Sequence, residues 1–200
     1  MDYVIAVLLF ALVSSITPGP NNILVMTSGV NFGIKRSLPL LAGICSGFTL
    51  MLLVVSLGFA SLFQTYPQLH LVIKWLGVIY LIYLAWLVAR SGQVEANTVK
   101  QQPLNFLNGA LFQWINGKAW VVATGAIAAY TPVGQGFGDA HLMIVTVFLF
   151  VSFPCVGLWL VAGAGLQRWL SSGKARNIFN YTMSILLILS VLPVLHELLS

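Results

Sequence analysis

Thr17-Pro18-Gly19-Pro20-Asn21 interrupts the first long apolar stretch of the chain, residues 3–30, near its centre. Without those five residues the stretch reads as a plain membrane-spanning helix. Each proline lacks a backbone donor, and its ring crowds the carbonyl four residues back, here those of Ser14 and Ile16. In hydrocarbon such carbonyls are costly unless protein, water or a ligand satisfies them. A helix broken at bilayer depth points to a binding site or a gate rather than an anchor.

The surrounding chain fits a membrane setting. Its 200 residues are 59% apolar and 6% charged, with mean hydropathy +0.96, whereas an ordinary globular domain is about 25% charged. Six apolar stretches, near 3–30, 38–63, 70–90, 104–131, 140–166 and 177–198, each supply the roughly 20 residues that a crossing needs. An all-α integral membrane fold with six spans is expected. No room is left for a soluble domain, so 1–200 reads as one transmembrane unit. The start, Met1-Asp2-Tyr3, has no early Lys or Arg, and its apolar run is too long for a signal peptide. It is expected to be a retained first helix.

Net charge +5 is a topology signal. Lys35, Arg36, Arg90, Lys100, Arg168, Lys174 and Arg176 follow helices 1, 3 and 5, while the opposite loops and both termini hold only Lys74. The positive-inside rule then puts loops 1–2, 3–4 and 5–6 in the cytoplasm and both termini outside. Nothing in this distribution suggests nucleic acid.

Residues 91–103, with Glu95, Asn97 and Lys100, form a polar linker between a first half at 1–90 and a second at 104–200. Three spans per half make the second half inverted relative to the first, a common transporter plan. Helix 4 should then be interrupted like helix 1, and Gln113-Trp114-Ile115-Asn116-Gly117-Lys118 sits at the centre of 104–131. Lys118 is the one charged residue expected near the midplane, where translocon-type scales put a lysine at roughly +2.5 to 3.5 kcal/mol. A structural role would have it donate to the carbonyls freed at Ser14 and Ile16.

Thr17 before Pro18 is a sensible N-cap with proline at the first helical position. The second halves of helices 1 and 4 would then present positive dipole ends at mid-membrane. Two helix N-termini and Lys118 suit a carboxylate. Asn21, Gln113 and Asn116 can offer donors and acceptors to the rest of a small zwitterion, or else bond one another between helices. Thr17, Pro18, Gly19, Pro20, Asn21, Gln113, Asn116 and Lys118 are the expected substrate-binding residues. Gly43-x-x-x-Gly47 is a small-residue pattern that lets helix 2 pack closely on a neighbour.

Cys45 and Cys155 fall inside helices 2 and 5 with no CxxC spacing. An intramembrane thiol–disulfide relay would use them, although neither lies near a cation that favours thiolate. A non-transporting membrane subunit is another alternative. No metal cluster, phosphate loop, cofactor motif or catalytic constellation is legible, so an enzyme is not expected.

Thr17-Pro18-Gly19-Pro20-Asn21 resembles the hallmark of the LysE/RhtB family of bacterial amino-acid exporters. Phe106-Leu107-Asn108-Gly109, leading into Gln113-Trp114-Ile115-Asn116-Gly117-Lys118, is similar to the family's second motif, and Gly29, Gly33, Gly43 and Gly47 also fit. The resemblance covers essentially the whole chain. It implies a secondary carrier in the bacterial inner membrane that exports small neutral amino acids or derivatives. The likeness is to the cysteine and O-acetylserine branch, with homoserine, threonine and leucine as other substrates. Gly117 stands where the family's motif has proline, and Phe48 where many relatives carry aspartate. The resemblance also implies a coupling proton, yet that intramembrane acceptor is absent. The expected partners are a small amino acid and the lipid bilayer, with association into a homo-oligomer left open.

Overall fold

The computed structural model describes residues 2–58, 67–91, 102–131 and 137–199. Among them all regular structure is helical: α1 Asp2–Ile16, α2 Pro20–Ser56, α3 Pro67–Arg90, α4 Phe106–Gln113, α5 Gly117–Tyr130, α6 Asp139–Leu166, α7 Gly173–Leu189 and α8 Leu192–Leu199. The end of the second expected span and most of the linker, with Lys100, lie outside the described residues. Pro20–Ser56, Leu71–Arg90, Asp139–Leu166 and Gly173–His196 are long and apolar enough to cross a membrane, and Tyr3–Ile16 is a shorter apolar helix. The described residues thus give four spanning candidates, the last running across α7 and α8, because the first and fourth expected spans are each divided in two.

Both interruptions occur where the sequence suggests, but the first is capped differently. Gly19 is the N-cap of α2, with extended backbone (φ −176°, ψ 176°), and Pro20 is its first helical residue. Thr17 is not the cap. A helix starting at Pro18 would force Gly19 into helical geometry directly before Pro20, where the proline ring disfavours it. The cytoplasmic loop expected after helix 1 is also missing. The chain stays helical from Pro20 to Ser56 except at Gly33 (φ 75°, ψ 174°). That left-handed φ suits glycine, which has no Cβ to clash. Lys35 and Arg36 therefore sit exposed on the helix that follows, not in a loop.

α2 is the centre of the bundle, packed most extensively on α6 and α4, while α1 lies on α6 and α3 on α7. Glycines set the closest approaches, as the Gly43-x-x-x-Gly47 pattern suggests. A Cβ on Gly47 would stand 2.6 Å from Ala110 Cα, and one on Gly109 would stand 2.6 Å from the Leu40 carbonyl oxygen. Backbones this close gain dispersion contacts that lipid cannot supply. Two apolar clusters result, one around Leu24, Ile44, Leu84 and Phe112 and one around Val7, Met51, Ala123 and Phe148. Large apolar side chains also cover the outside, with Val121 and Phe150 each 72% exposed. A water-soluble monomer rarely shows so continuous an apolar surface, whereas lipid covers it.

Candidate functional site

The end of α1 leaves a set of carbonyls with no helical partner, and nearly every one finds a donor. Thr17 N–H bonds the Val13 carbonyl at 3.2 Å, and the Thr17 hydroxyl donates to Ser14 O at 3.1 Å. Asn22 Nδ2 donates to Ser15 O at 3.0 Å and to Thr17 O at 2.9 Å. The Trp159 indole, from α6, donates to Ile16 O at 3.1 Å. Lys118 Nζ reaches Thr17 O at 2.9 Å, Thr17 Oγ1 at 2.8 Å and Pro18 O at 3.3 Å. The carbonyls of Ser14 and Ile16, the structural partners suggested for Lys118, are taken by Thr17 and Trp159 instead. The lysine sits one step further along, at the negative end of the α1 dipole, where a cation is favoured.

The second break forms without proline. After α4, Trp114, Ile115 and Asn116 N–H bond Leu111, Phe112 and Gln113 carbonyls at 3.2, 3.2 and 3.3 Å. This three-residue spacing tightens the helix end and satisfies carbonyls that would otherwise be orphaned. The Trp120 indole then donates to Trp114 O at 2.8 Å. Asn116 caps α5 by accepting from Lys118 N–H at 3.1 Å. Gly117 occupies the first helical position, where no donor is required, so glycine serves as well as proline would. At the start of α4, Asn105 and Asn108 form a reciprocal capping box, with bonds of 3.0 and 2.9 Å.

An amide cluster ties the two breaks together. Asn21 Nδ2 donates to Gln113 Oε1 at 2.9 Å and Gln113 Nε2 returns a bond to Asn21 Oδ1 at 3.0 Å. Asn116 Nδ2 also donates to Asn21 Oδ1, at 3.2 Å, and Gln113 Nε2 to Gly109 O, at 2.9 Å. Gln113 and Asn116 are buried. All eight expected site residues thus converge on one place: Lys118 against Thr17 and Pro18, Gly19 beneath the lysine stem, Pro20 and Asn21 in the first turn of α2, and Gln113 and Asn116 across from Asn21. A Cβ on Gly19 would meet Lys118 Cδ at 2.9 Å, so glycine there leaves the stem its path.

Two cavities flank this junction. The smaller, about 50 Å³, is bordered by Ser14, Asn22, Cys45, Phe48, Lys118 and Ser152 among others. It is polar on the α1–α2 side, and Lys118 is the only charged residue on its wall. The larger, about 510 Å³, lies on the other face of the second break between Ile73, Leu81, Trp120 and Val191, and also reaches Lys118. Residues Ser14, Asn22, Cys45, Phe48 and Ser152 were not expected at the site. Of these, Phe48 alone carries a sequence sign, since it stands where many relatives have aspartate. Cys45 and Cys155 are buried and unbridged.

The two broken helices thus meet at a lysine inside an apolar bundle. The chain belongs to the LysE family: the family's sequence profile, described as LysE type translocator, matches residues 12–197. It is 31% identical over 175 residues to the cysteine/O-acetylserine efflux protein of Klebsiella pneumoniae, covering 86% of this chain and 88% of that one. Against the protein of the same name from Escherichia coli K12 it is 30% identical over 161 residues, 80% and 81% of the two chains. No solved structure matches it.

Proposed function

We propose that the chain is a secondary carrier exporting small neutral amino acids or derivatives, of the cysteine and O-acetylserine type, across the bacterial inner membrane. The observation that carries this reading is Lys118: a cation beside two helix N-termini, on the wall of a cavity that no carboxylate lines. Such a site favours an anionic group. The three bonds of the ammonium are unequal, and the contact to Pro18 O, at 3.3 Å, is the longest. A substrate carboxylate takes over that bond, while Thr17 keeps the ammonium in place. The amides of Asn21 and Asn22, in the uncapped first turn of α2, add donors to the same anion.

The wall carries no acidic group for a second cation, which disfavours dibasic amino acids. The relatives' names, cysteine/O-acetylserine efflux protein, support a small neutral substrate. In this reading the two breaks belong to corresponding helices of an inverted repeat of three plus three spans, with both termini in the periplasm.

Purified protein in liposomes, with no partner, should exchange labelled L-cysteine and O-acetyl-L-serine, and Lys118→Ala should not. Failure of the wild type to move any of a panel including homoserine, threonine and leucine would refute the carrier reading. Reporter fusions within residues 91–102 should behave as cytoplasmic, and a periplasmic result there would overturn the orientation.

A further inference from the structure

Aromatic rings cap one end of the smaller cavity. Ser14 and Ser152 line it from α1 and α6, and Phe10 and Phe148 lie one turn nearer the start of the same two helices. Phe48 of α2 is itself on the wall. The rings touch in series: Phe48 to Phe148 at 5.5 Å between centroids, Phe148 to Phe10 at 6.2 Å, Phe10 to Tyr130 of α5 at 5.7 Å, and Tyr130 to Tyr3 at 6.2 Å. Phe148 is fully buried, whereas Tyr3, in the first turn of α1, is 42% exposed. The column runs from the cavity to the end of the bundle where α1 begins and α5 ends, and four helices contribute to it.

The other end is shut by backbone. There the wall residues Asn22 of α2 and Val156 of α6 lead on to Met26, Gly29, Leu160 and Gly163. A Cβ on Gly29 would stand 2.6 Å from Leu160 O, and one on Gly163 would overlap the Met26 carbonyl. Helices in such contact admit nothing between them unless they part. Towards Tyr3 the packing is of side chains. α1 contains no glycine, and a Cβ on Gly125 of α5 would meet nothing within 4 Å. α5 turns Ala119, Ala123 and Ala126 inward, all buried, and Ala11 of α1 joins the same cluster. Rings rather than main chain fill the space beside these methyl groups. A ring changes rotamer by turning about its own side-chain bonds while the backbone rests, so this end opens at less cost than the other.

We propose that Phe48 and Phe148 are the exit gate of the carrier: their rings close this end of the cavity and swing aside to release substrate towards Tyr3 and Tyr130. The proposal rests on the carrier reading, to which it adds a route and the two side chains that control it. Cys45 and Ser152, on the cavity wall, are each one turn from a gate ring on the same helix, so a substrate at this end of the cavity lies directly against the pair. In the proposed orientation that end is periplasmic, the side to which an exporter delivers.

Thiol labelling tests it. In the full chain with Cys45→Ser and Cys155→Ser, Ser152→Cys puts a single thiol on the cavity wall. A membrane-impermeant maleimide is applied to vesicles from either side, and protease cleavage of an N-terminal tag tells the two sides apart. From the N-terminal side, Phe148→Leu should raise the labelling rate about tenfold or more, because leucine forfeits both ring contacts of Phe148. From the opposite side the rate should not change. An unchanged rate from the N-terminal side overturns the gate. So does an equal rise from both sides, which is a general loosening of the bundle. Phe48→Leu, on another helix, makes the same prediction and decides the matter where the first variant fails to fold; leucine keeps most of the apolar volume at either position. Exchange of labelled amino acids by the wild type is measured in parallel. Absence of exchange refutes the carrier reading, while the labelling still decides whether the two rings close that end.

Discussion

Replacing Lys118 by methionine separates what the lysine holds from what it recognises. Methionine keeps an unbranched stem but makes no bonds at the end of α1. Thr17 O retains Asn22 as a donor, and the Thr17 hydroxyl retains its bond to Ser14 O. Pro18 O loses the Lys118 ammonium, its one donor among the side-chain bonds. Leaving one such acceptor unmatched costs about 1–3 kcal/mol. Removing a cation from a helix C-terminus costs about 0.3–1 kcal/mol more. A net loss near 2 kcal/mol lowers the melting temperature of a chain this size by about 4–8 °C. Insertion should not suffer, because methionine avoids the roughly 2.5–3.5 kcal/mol that insertion scales charge for a central lysine. The variant should therefore be inserted and folded at 25 °C, melt a few degrees lower in detergent, and move no cysteine. Intact cysteine exchange together with an unchanged melting temperature would refute the placement of the ammonium at the α1 end and its role in the site.

Four further outcomes follow from the geometry. Asn21→Leu and Gln113→Leu should couple in a double-mutant cycle by about 1 kcal/mol, two reciprocal bonds at about 0.6 kcal/mol each, measured by unfolding in detergent; additive losses would show that the pair is not formed. Gly33→Ala should cost about 1–3 kcal/mol, because its backbone region is nearly glycine-only, and an unchanged melting temperature would place the residue at negative φ. Gly47→Val should push α4 off α2 and lower the yield of folded protein, whereas substitution at Gly165, where a Cβ meets nothing within 4 Å, should be tolerated. Pro18→Ala with Pro20→Ala should insert well yet lose exchange, since the α2 N-terminus would no longer end at the cavity; normal exchange would deny the break a role.

Much of the site was legible because prolines leave an unambiguous mark. Pro18 and Pro20 fixed the first break, and Asn116-Gly117-Lys118 located the second even without proline. Thr17 was misread as the cap because its residue type suits the role, while the constraint that Pro20 puts on Gly19 decides the matter. The length of the connection after helix 1 was misread because two basic residues after an apolar run look like a loop, whereas a single glycine at positive φ is enough to redirect the chain. Asn22 was invisible for a different reason. Its importance depends on where the carbonyls of Ser15 and Thr17 come to rest in space, and no spacing along the chain encodes that. Ser14 and Ser152 were hidden by chemistry: a serine in an apolar helix can bond its own preceding turn, as Ser14 does to Ala11, so its presence carries no signal.

Gly33 sets the mechanics of the whole assembly. The half-helix at 20–32 meets the helix at 34–56 through that one residue. A connection of two torsions cannot stretch, so neither segment can slide along the other. Relative motion is confined to rotation about a fulcrum. The arm from Gly33 to Pro20 is about 20 Å long at 1.5 Å per residue, so a tilt of about 10° sweeps the far tip through about 3 Å. That far tip carries Asn21 and Asn22. A small tilt at Gly33 would thus be magnified where it reaches the cavity, and the stiffness of a single glycine would set the gear.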